Sequence, residues 1–277
     1  MRVIALTTDF GTADGYVGVM KGVILSIVPE VHLVDLSHEI PPQDVRRAAF
    51  VLYTAVPFFP PGTVHLAVVD PGVGTERRAI AVQTPQGFFV GPDNGLFTYV
   101  LAEAEEWKAV GLEEPAYRLP EVSGTFHGRD VFAPAAAHLA RGVPLERLGS
   151  PVTDPVLLPL PRLTVGEDRV EGEILHVDRF GNVITSVGRL RWNGGDLVLT
   201  PAFRQAASSL QFAAREVAVE VGGERIRPVR RTYGEVGVGE KLALVGSTGF
   251  LEIAVRQGNA ARALGVHPGD PITLRLR

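Results

Sequence analysis

The sequence contains no cysteine among its 277 residues, and this absence removes several kinds of chemistry at once. A chain without thiols has no disulfide framework, no thiolate zinc site, no iron–sulfur cluster and no cysteine nucleophile. Any redox reaction would need a bound cofactor. The remaining composition, with 45% apolar and 21% charged residues, is that of an ordinary globular protein long enough for two cores.

Long apolar runs and an excess of basic residues are also missing. No segment approaches the roughly 18 consecutive apolar residues that indicate a membrane-spanning helix. Asp9 stands where a signal peptide would still be apolar, so we expect a cytoplasmic protein without a membrane partner. The formal charge of −4 gives no electrostatic reason to bind nucleic acid, because such binding draws on clustered Lys and Arg.

Up to about residue 155, apolar β-branched runs alternate with helical patterns. The predicted strands are Val3–Thr8, Val31–Leu36, Val64–Val69, Ala79–Thr84 and Phe88–Val90. The predicted helices are Gly15–Ile27, Gln43–Val56, Gly95–Ala104 and Asp130–Arg141. Because parallel neighbours require crossover connections, this alternation predicts a three-layer α/β/α domain over residues 1–155 with a largely parallel sheet. Ligands of such sheets bind beyond the carboxyl ends of the strands.

A proline-rich stretch between residues 151 and 161 predicts a linker, and beyond it the apolar period changes to two. Glu216–Val221 followed by Gly222 and Gly223 is a hairpin pattern. Lys241–Val245, Leu251–Val255 and Ile272–Leu276 continue the alternation. We therefore expect a smaller antiparallel β-barrel-like domain over residues 165–277.

Three turn-like segments of the first domain hold polar residues where a core has no place for them. Asp9 ends the first strand, where it could accept hydrogen bonds from a sugar diol or equally cap a helix or anchor a loop. Asp70 ends another strand and precedes a loop that carries Arg77, and the loop's glycines permit a close ligand approach. The same pair could simply brace a turn. His127 lies between a loop and a helix, where a histidine is more often structural than catalytic.

A fourth segment interrupts a strand of the second domain. Its Asp178 could pair with an ammonium group, Phe180 could stack on a base, and Asn182 could read an amide-like edge. The same residues are equally natural in an ordinary β-turn. The chain has no Walker loop, no Gly-x-Ser-x-Gly elbow and no His-Glu-x-x-His helix, so no common catalytic signature decides the function.

The combination of segments is more specific than any one of them. It closely resembles the S-adenosyl-L-methionine (SAM) hydroxide adenosyltransferase family, the SAM hydrolases, which are relatives of the fluorinase and chlorinase enzymes. The segments that carry the resemblance are Thr8–Gly11, Tyr16–Gly22, Val69–Gly74, Gly91–Gly95, Thr125–Asp130, Asp178–Asn182 and Gly249–Ala254. They occur in the same order and at matching spacing from Thr7 to about Asp270.

The resemblance implies hydrolysis of SAM to adenosine and L-methionine, with water replacing the halide that the halogenating relatives use. SAM is then the substrate, and neither a cofactor nor a metal is expected. Family enzymes have an α/β/α domain followed by a β-barrel-like domain. They form homotrimers whose active sites lie between the N-terminal domain of one subunit and the C-terminal domain of a neighbour.

The resemblance also assigns roles to residues of this chain. The family's Asp–Arg–His triad falls on Asp70, Arg77 and His127. The matching substrate contacts are Asp9 for the ribose hydroxyls, Asp178 for the methionine ammonium, Phe180 and Asn182 for adenine, and Ser247 with Thr248 near the methionine carboxylate. The last pair departs from the halogenases, which have Ser-Arg there. Whether Asp70 or His127 takes the proton of the attacking water stays open.

Three alternative functions fit parts of the pattern. A non-catalytic sensor would bind SAM or adenosine in the same pocket, but the complete triad argues against it. A halide-dependent SAM adenosyltransferase would need a halide pocket, where the Asp70 carboxylate would repel the anion. Metal-assisted hydrolysis needs a ligand spacing that the acidic and histidine residues do not offer, and a dication sits poorly beside a cationic substrate.

Overall fold

The computed structural model describes residues 2–203 and 209–276, and the chain divides into two units. The first unit comprises Met1–Pro159 and the second Leu160–Arg277. The division falls inside the proline-rich stretch that the sequence analysis takes as a linker, between the predicted domains at 1–155 and 165–277. None of the described helices is long and apolar enough to cross a membrane.

The first unit contains a six-stranded sheet. Its strands are β1 (Val3–Thr8), β2 (His32–Ser37), β3 (Thr63–Val68), β4 (Ala79–Thr84), β5 (Gly87–Pro92) and β6 (Lys108–Gly111). Their order is β2-β1-β3-β5-β4-β6, with β2, β1, β3 and β5 parallel and β4 antiparallel to both β5 and β6. The predicted α/β class with a largely parallel sheet is confirmed.

Helices cover both faces of this sheet. On one face lie α1 (Tyr16–Ile27) and α4 (Ala133–Arg141), and on the other lie α2 (Val45–Ala55) and α3 (Thr98–Glu103). Because side chains alternate along a strand, the sheet separates two apolar cores. Leu66 of β3 belongs to the core under α1 and α4, whereas its neighbour Ala67 belongs to the core under α2 and α3.

Local geometry sets helix boundaries that the apolar pattern does not show. α2 begins at Val45, two residues later than predicted, because the Asp44 carboxylate accepts a hydrogen bond from the backbone N–H of Arg47 and caps the helix. α4 is preceded by a π-helical turn over Gly128–Phe132, where the sequence pattern predicts a regular helix from Asp130. Turns of this kind are rare in proteins, and those that occur are often found at functional sites.

The second unit is one largely antiparallel sheet that nearly closes into a barrel, with one parallel pair among its described strands. Its strands are β7 (Leu163–Val165), β8 (Arg169–Val177), β9 (Val183–Asn193), β10 (Asp196–Thr200), β11 (Leu210–Ala213), β12 (Ala218–Val221), β13 (Glu224–Ile226), β14 (Val229–Arg230), β15 (Lys241–Val245), β16 (Phe250–Val255) and β17 (Pro271–Arg275). The main path runs β13-β12-β17-β8-β9-β16-β15-β14. Since β13 also lies beside β15, its two ends approach each other, and the barrel-like prediction is confirmed.

The predicted hairpin of this unit forms between β12 and β13. Gly222 and Gly223 take φ angles of 58° and 77°, which a two-residue turn of this type needs and which glycine adopts without strain. The short helix α5 (Ala260–Leu264) packs beside β16.

His65 of β3 is buried in the core under α2 and α3 without a hydrogen bond to either ring nitrogen from the described residues. Its ring stacks on Phe89 at 5.1 Å and meets Phe59 edge to face at 5.2 Å. Burial lowers the pKa of His65 from 6.5 to about 4, because the charged imidazolium is poorly solvated there.

Because the pKa of His65 is lowered in the folded chain, we expect folding stability to decrease in acid. The unfolded chain binds a proton at His65 below about pH 6.5 and the folded chain only near pH 4, so stability is present at neutral pH and is lost as the pH falls through that window. His65→Phe should therefore gain up to about 3 kcal/mol relative to the parent between pH 6.5 and 4. Denaturant unfolding at several pH values measures this, with His32→Gln as the exposed control. A pH-independent difference would contradict the prediction.

Candidate active site

Two loops of the first unit bring three of the predicted site residues together. Asp70 lies two residues beyond β3, Arg77 closes the same loop, and His127 precedes the π-helical turn. Arg77 donates from Nε to Asp70 Oδ1 over 2.9 Å and from Nη2 to Oδ2. The side chains of Asp70 and Arg77 are only 6% and 10% exposed. The carboxylate is thus held by a two-pronged ion pair, which fixes its orientation.

The same guanidinium contacts His127 and fixes the form of its imidazole. Nη2 of Arg77 lies 3.0 Å from Nδ1 of His127. Since a guanidinium has only donors, Nδ1 is the acceptor and the neutral ring carries its proton on Nε2. Burial lowers the pKa of His127 below its ordinary 6.5, and the charge of Arg77 acts in the same direction. At pH 7 the site therefore holds a neutral imidazole with a donor at Nε2.

Close backbone contact locks the two loops to each other. Gly74 has a φ of 76°, and a Cβ there would lie 2.3 Å from the carbonyl oxygen of Gly124 in the loop that leads to His127. Gly74 therefore allows the two loops to come into backbone contact. The side-chain amide of Asn94 donates to the carbonyl of Val69 over 2.9 Å, directly before Asp70.

The segment that carries His127 is also fixed by a buried acid. Asp130 is fully buried, pairs with Arg129, and accepts a hydrogen bond from the backbone N–H of Ser123 over 2.8 Å. Burial favours the neutral carboxyl, but Arg129 and Ser123 outweigh it and hold the pKa of Asp130 below its usual range. The hydroxyl of Ser123 in turn accepts the backbone N–H of Phe126 over 3.1 Å, which tightens the turn before His127.

A cavity of about 240 Å³ lies against this cluster. Asp70 and His127 line it, whereas Arg77 acts from behind them and is not among its lining residues. The other lining residues are Phe10, Tyr16, Val68, Val73, Thr125, Phe126 and Gly128. The cavity thus combines a fixed acceptor and a fixed donor with mostly apolar walls.

Asp9 lies next to this lining, since its neighbour Phe10 belongs to the cavity wall. Oδ2 of Asp9 accepts the backbone N–H of Gln43 over 2.8 Å, so the residue is a loop anchor, as one of its two interpretations predicts. The strand end before it is fixed by a side-chain relay in which Thr8 Oγ1 lies 2.8 Å from Nδ1 of His38, and Nε2 of His38 lies 3.0 Å from Asp35.

The second unit holds the remaining predicted residues. Asp178 forms a tight turn between β8 and β9: its carboxylate accepts the backbone N–H groups of Phe180 and Asn182 and the side-chain amide of Asn182, over 2.8 to 3.0 Å. This is the β-turn alternative of the sequence analysis. Phe180 at the tip is 75% exposed, while Asn182 is buried. Ser247 and Thr248 lie in the turn between β15 and β16.

Glu252 and Tyr233 form a pair in this unit that the sequence analysis does not single out. The Tyr233 hydroxyl donates to the buried Glu252 carboxylate, whose other oxygen lies against Gly246, next to Ser247. Burial raises the pKa of Glu252, and the charge of Asp178 acts in the same direction. Asp178 and Gly246 thus both lie near the Glu252 carboxylate, which places Asp178 close to the turn that holds Ser247.

Three aromatic cavity residues, Phe10, Tyr16 and Phe126, are also absent from the predicted site. Each of them lies in a segment that carries the family resemblance. However, neither their positions nor their spacing in the sequence indicates that the three rings are in contact. For Glu252 a signal does exist, because an acidic residue interrupts an otherwise apolar strand.

Family models match both units. The model of the SAM hydroxide adenosyltransferase N-terminal domain matches residues 4–149, and that of the C-terminal domain matches residues 172–273. The chain belongs to the SAM hydroxide adenosyltransferase family. In this family member, the residues that the structure describes include no group of three His, Asp or Glu side chains that could hold a metal ion.

Individual relatives of this SAM hydroxide adenosyltransferase extend over nearly the whole chain. A Thermus thermophilus protein named (R)-S-adenosyl-L-methionine hydrolase is 47% identical, covering 99% of this chain and all of its own. A fluorinase from Actinoplanes is 29% identical over 98% of this chain and 97% of its own. A crystal structure of a conserved protein from Thermotoga maritima is 40% identical, with a TM-score of 0.85 over 98% of this chain and 99% of its own.

Proposed function

We propose that this protein hydrolyses SAM to adenosine and L-methionine by attack of water on C5′ of the ribose. The observation that supports this most directly is the cluster in which Arg77 holds both Asp70 and His127 at the wall of one cavity. The hydrolase name of the 47% identical relative points to the same reaction.

The substrate itself supplies much of the driving force. Its sulfonium leaves as a neutral thioether, so the leaving group needs neither a proton nor a metal, and we propose that no cofactor takes part. The protein must hold a water in line with the C5′–S bond and accept its proton. That proton becomes strongly acidic as the new C–O bond forms. A carboxylate that is ion-paired with an arginine is therefore a sufficient acceptor for it.

Asp70 is the acceptor that the geometry favours. Its oxygens keep lone pairs beyond those that Arg77 uses, and it lines the cavity. His127 is a poor proton acceptor because Nδ1 is occupied by Arg77 and Nε2 carries the proton. We therefore assign His127 the role of a donor that orients the water oxygen, and Arg77 that of a positioning residue.

The substrate contacts follow from the acceptors that the folded chain leaves. Asp9 uses one oxygen for Gln43, and we propose that its other oxygen accepts the ribose hydroxyls. In the second unit, we propose that Asp178 accepts the methionine ammonium on the acceptor position of Oδ2 that the turn leaves open. Phe180 and Asn182 would contact adenine, and Ser247 with Thr248 the methionine carboxylate.

The decisive assay incubates the purified protein with SAM and separates the products by chromatography. We expect adenosine and methionine at rates that neither EDTA nor added fluoride or chloride changes. Formation of a 5′-halogenated nucleoside would support the halide-dependent alternative, and binding of SAM without adenosine would support the sensor. Loss of turnover in EDTA that added metal restores would overturn the metal-free mechanism.

Substitutions separate the roles of Asp70 and His127. We expect Asp70→Asn to lower kcat/KM by about 10²–10⁴-fold, as for a lost general base, and His127→Ala by about 10²-fold, as for a lost preorganised donor. Because the imidazole is active when neutral, kcat/KM of the parent should fall as the pH drops through the lowered pKa of His127, below 6.5, and stay flat above it. A His127→Ala variant that keeps this acid limb would contradict the assignment.

We also propose a cytoplasmic homotrimer in which the second unit of one subunit completes the site of its neighbour. The 75% exposed ring of Phe180, next to Asp178, supports this, because an apolar ring at a turn tip suits a ligand or a partner.

Mixing two inactive variants tests the shared site. Asp70→Asn and Asp178→Ala subunits, exchanged by mild denaturation and refolding, should regain up to about a quarter of the parent activity, since neighbouring subunits then combine intact halves. Light scattering should give three times the 29.7 kDa of one chain. A trimer without recovered activity would place each site within one subunit.

A further inference from the structure

We propose that the rings of Phe10, Tyr16 and Phe126 form a cation-binding wall that selects the sulfonium of the substrate over neutral thioethers. This inference rests on the proposed function, because it places the reacting C5′–S bond in the cavity that the three rings share with Asp70 and His127.

The three rings form a corner and not a stack. The ring centroids of Phe10 and Tyr16 lie 5.9 Å apart at 58°, those of Phe10 and Phe126 5.9 Å apart at 72°, and those of Tyr16 and Phe126 5.2 Å apart at 83°. Rings at these distances and angles pack edge to face, so they form one continuous aromatic wall and not an enclosed cage. All three residues line the same cavity.

Among the described residues that line the cavity, no unpaired carboxylate is available to the sulfonium. Asp70 is the one acidic residue among the lining residues, and its carboxylate is already paired with Arg77. His127 is neutral at pH 7. The negative faces of aromatic rings are then the main attraction that the described walls offer to a cation.

One of these rings already has a cation over it. The guanidinium of Arg129 lies 5.4 Å from the centroid of Phe126. Its charge is balanced by the buried Asp130, with which it forms an ion pair. The Phe126 ring therefore contacts a neutralised ion pair as well as the cavity, so Arg129 does not place an uncompensated positive charge beside the sulfonium.

The reaction removes the charge that the rings attract. As the C5′–S bond breaks, the electron pair passes to sulfur and the sulfonium becomes the thioether of methionine. Ring attraction is therefore largest for bound substrate and absent for product, so it raises affinity for SAM and does not stabilise the transition state selectively. The signature is a change in KM with little loss of kcat.

The test compares the charged substrate with a neutral analogue. S-adenosylhomocysteine keeps the nucleoside and the amino acid but has a thioether in place of the sulfonium. In Tyr16→Leu and Phe126→Leu variants, we expect KM for SAM to rise by about 3- to 30-fold, while the inhibition constant of S-adenosylhomocysteine changes by less than about 3-fold. Tyr16→Phe keeps the ring and should keep the parent's discrimination between SAM and S-adenosylhomocysteine.

Phe58→Leu provides the matched control, because this ring is 77% exposed and does not line the cavity. If affinity for SAM and for S-adenosylhomocysteine falls equally, the rings act only as an apolar wall. If both constants are unchanged in the two Leu variants, the rings do not contact the ligand. Either result overturns the inference while adenosine formation continues. If SAM is not hydrolysed at all, the proposed function fails, and the same comparison by calorimetry with both ligands still decides whether the rings select charge.

Discussion

One guanidinium organises the proposed active site of this protein. Arg77 reaches Asp70 with two donors and His127 with one of them, so a single planar group fixes an acid and an imidazole that are far apart in the sequence. The Asp70–Arg77 pair is almost fully buried. Removing either partner of such a pair leaves an uncompensated charge, at a typical cost of about 3–5 kcal/mol. A substitution of Asp70 or Arg77 alone should therefore lower the stability of the fold.

The fold keeps this arrangement in place through the backbone. Gly74 touches the carbonyl of Gly124, and Asn94 holds the carbonyl that precedes Asp70. The first contact links the loop after β3 to the loop that leads into the π-helical turn, and the second ties the residue before Asp70 to the segment after β5. Asp130 is buried and holds the backbone of Ser123. The positions of Asp70 and His127 therefore depend on main-chain contacts and on side chains that are themselves hydrogen-bonded.

The sequence predicts the elements better than their junctions. Apolar alternation identifies the strands, and the position after a buried strand singles out Asp9 and Asp70, because in a parallel sheet that position meets the ligand edge. The π-helical turn escapes prediction, since its apolar pattern differs little from that of a helix. The contact of the three aromatic rings escapes for another reason: Phe10 and Phe126 are 116 positions apart, and no local pattern specifies which ring faces which.

Asp178 shows a different limit of sequence reasoning. The sequence allows either a β-turn or a contact with an ammonium group at this position. The structure shows the β-turn, in which three N–H groups donate to the carboxylate. The two interpretations do not exclude each other. A carboxylate has about four lone-pair positions, so the three hydrogen bonds that shape the turn also orient the position that remains on Oδ2 for a cationic ligand.

The balance of charge in the proposed site suits a cationic substrate. A free carboxylate beside the sulfonium would stabilise the substrate more than the transition state, in which the positive charge on sulfur is smaller. Pairing with Arg77 would reduce that ground-state attraction, while Asp70 still lines the cavity as an acceptor. The neutral His127 would add a donor without adding charge. In the proposed mechanism, the arginine that orients Asp70 therefore also limits the attraction of that carboxylate for the cation.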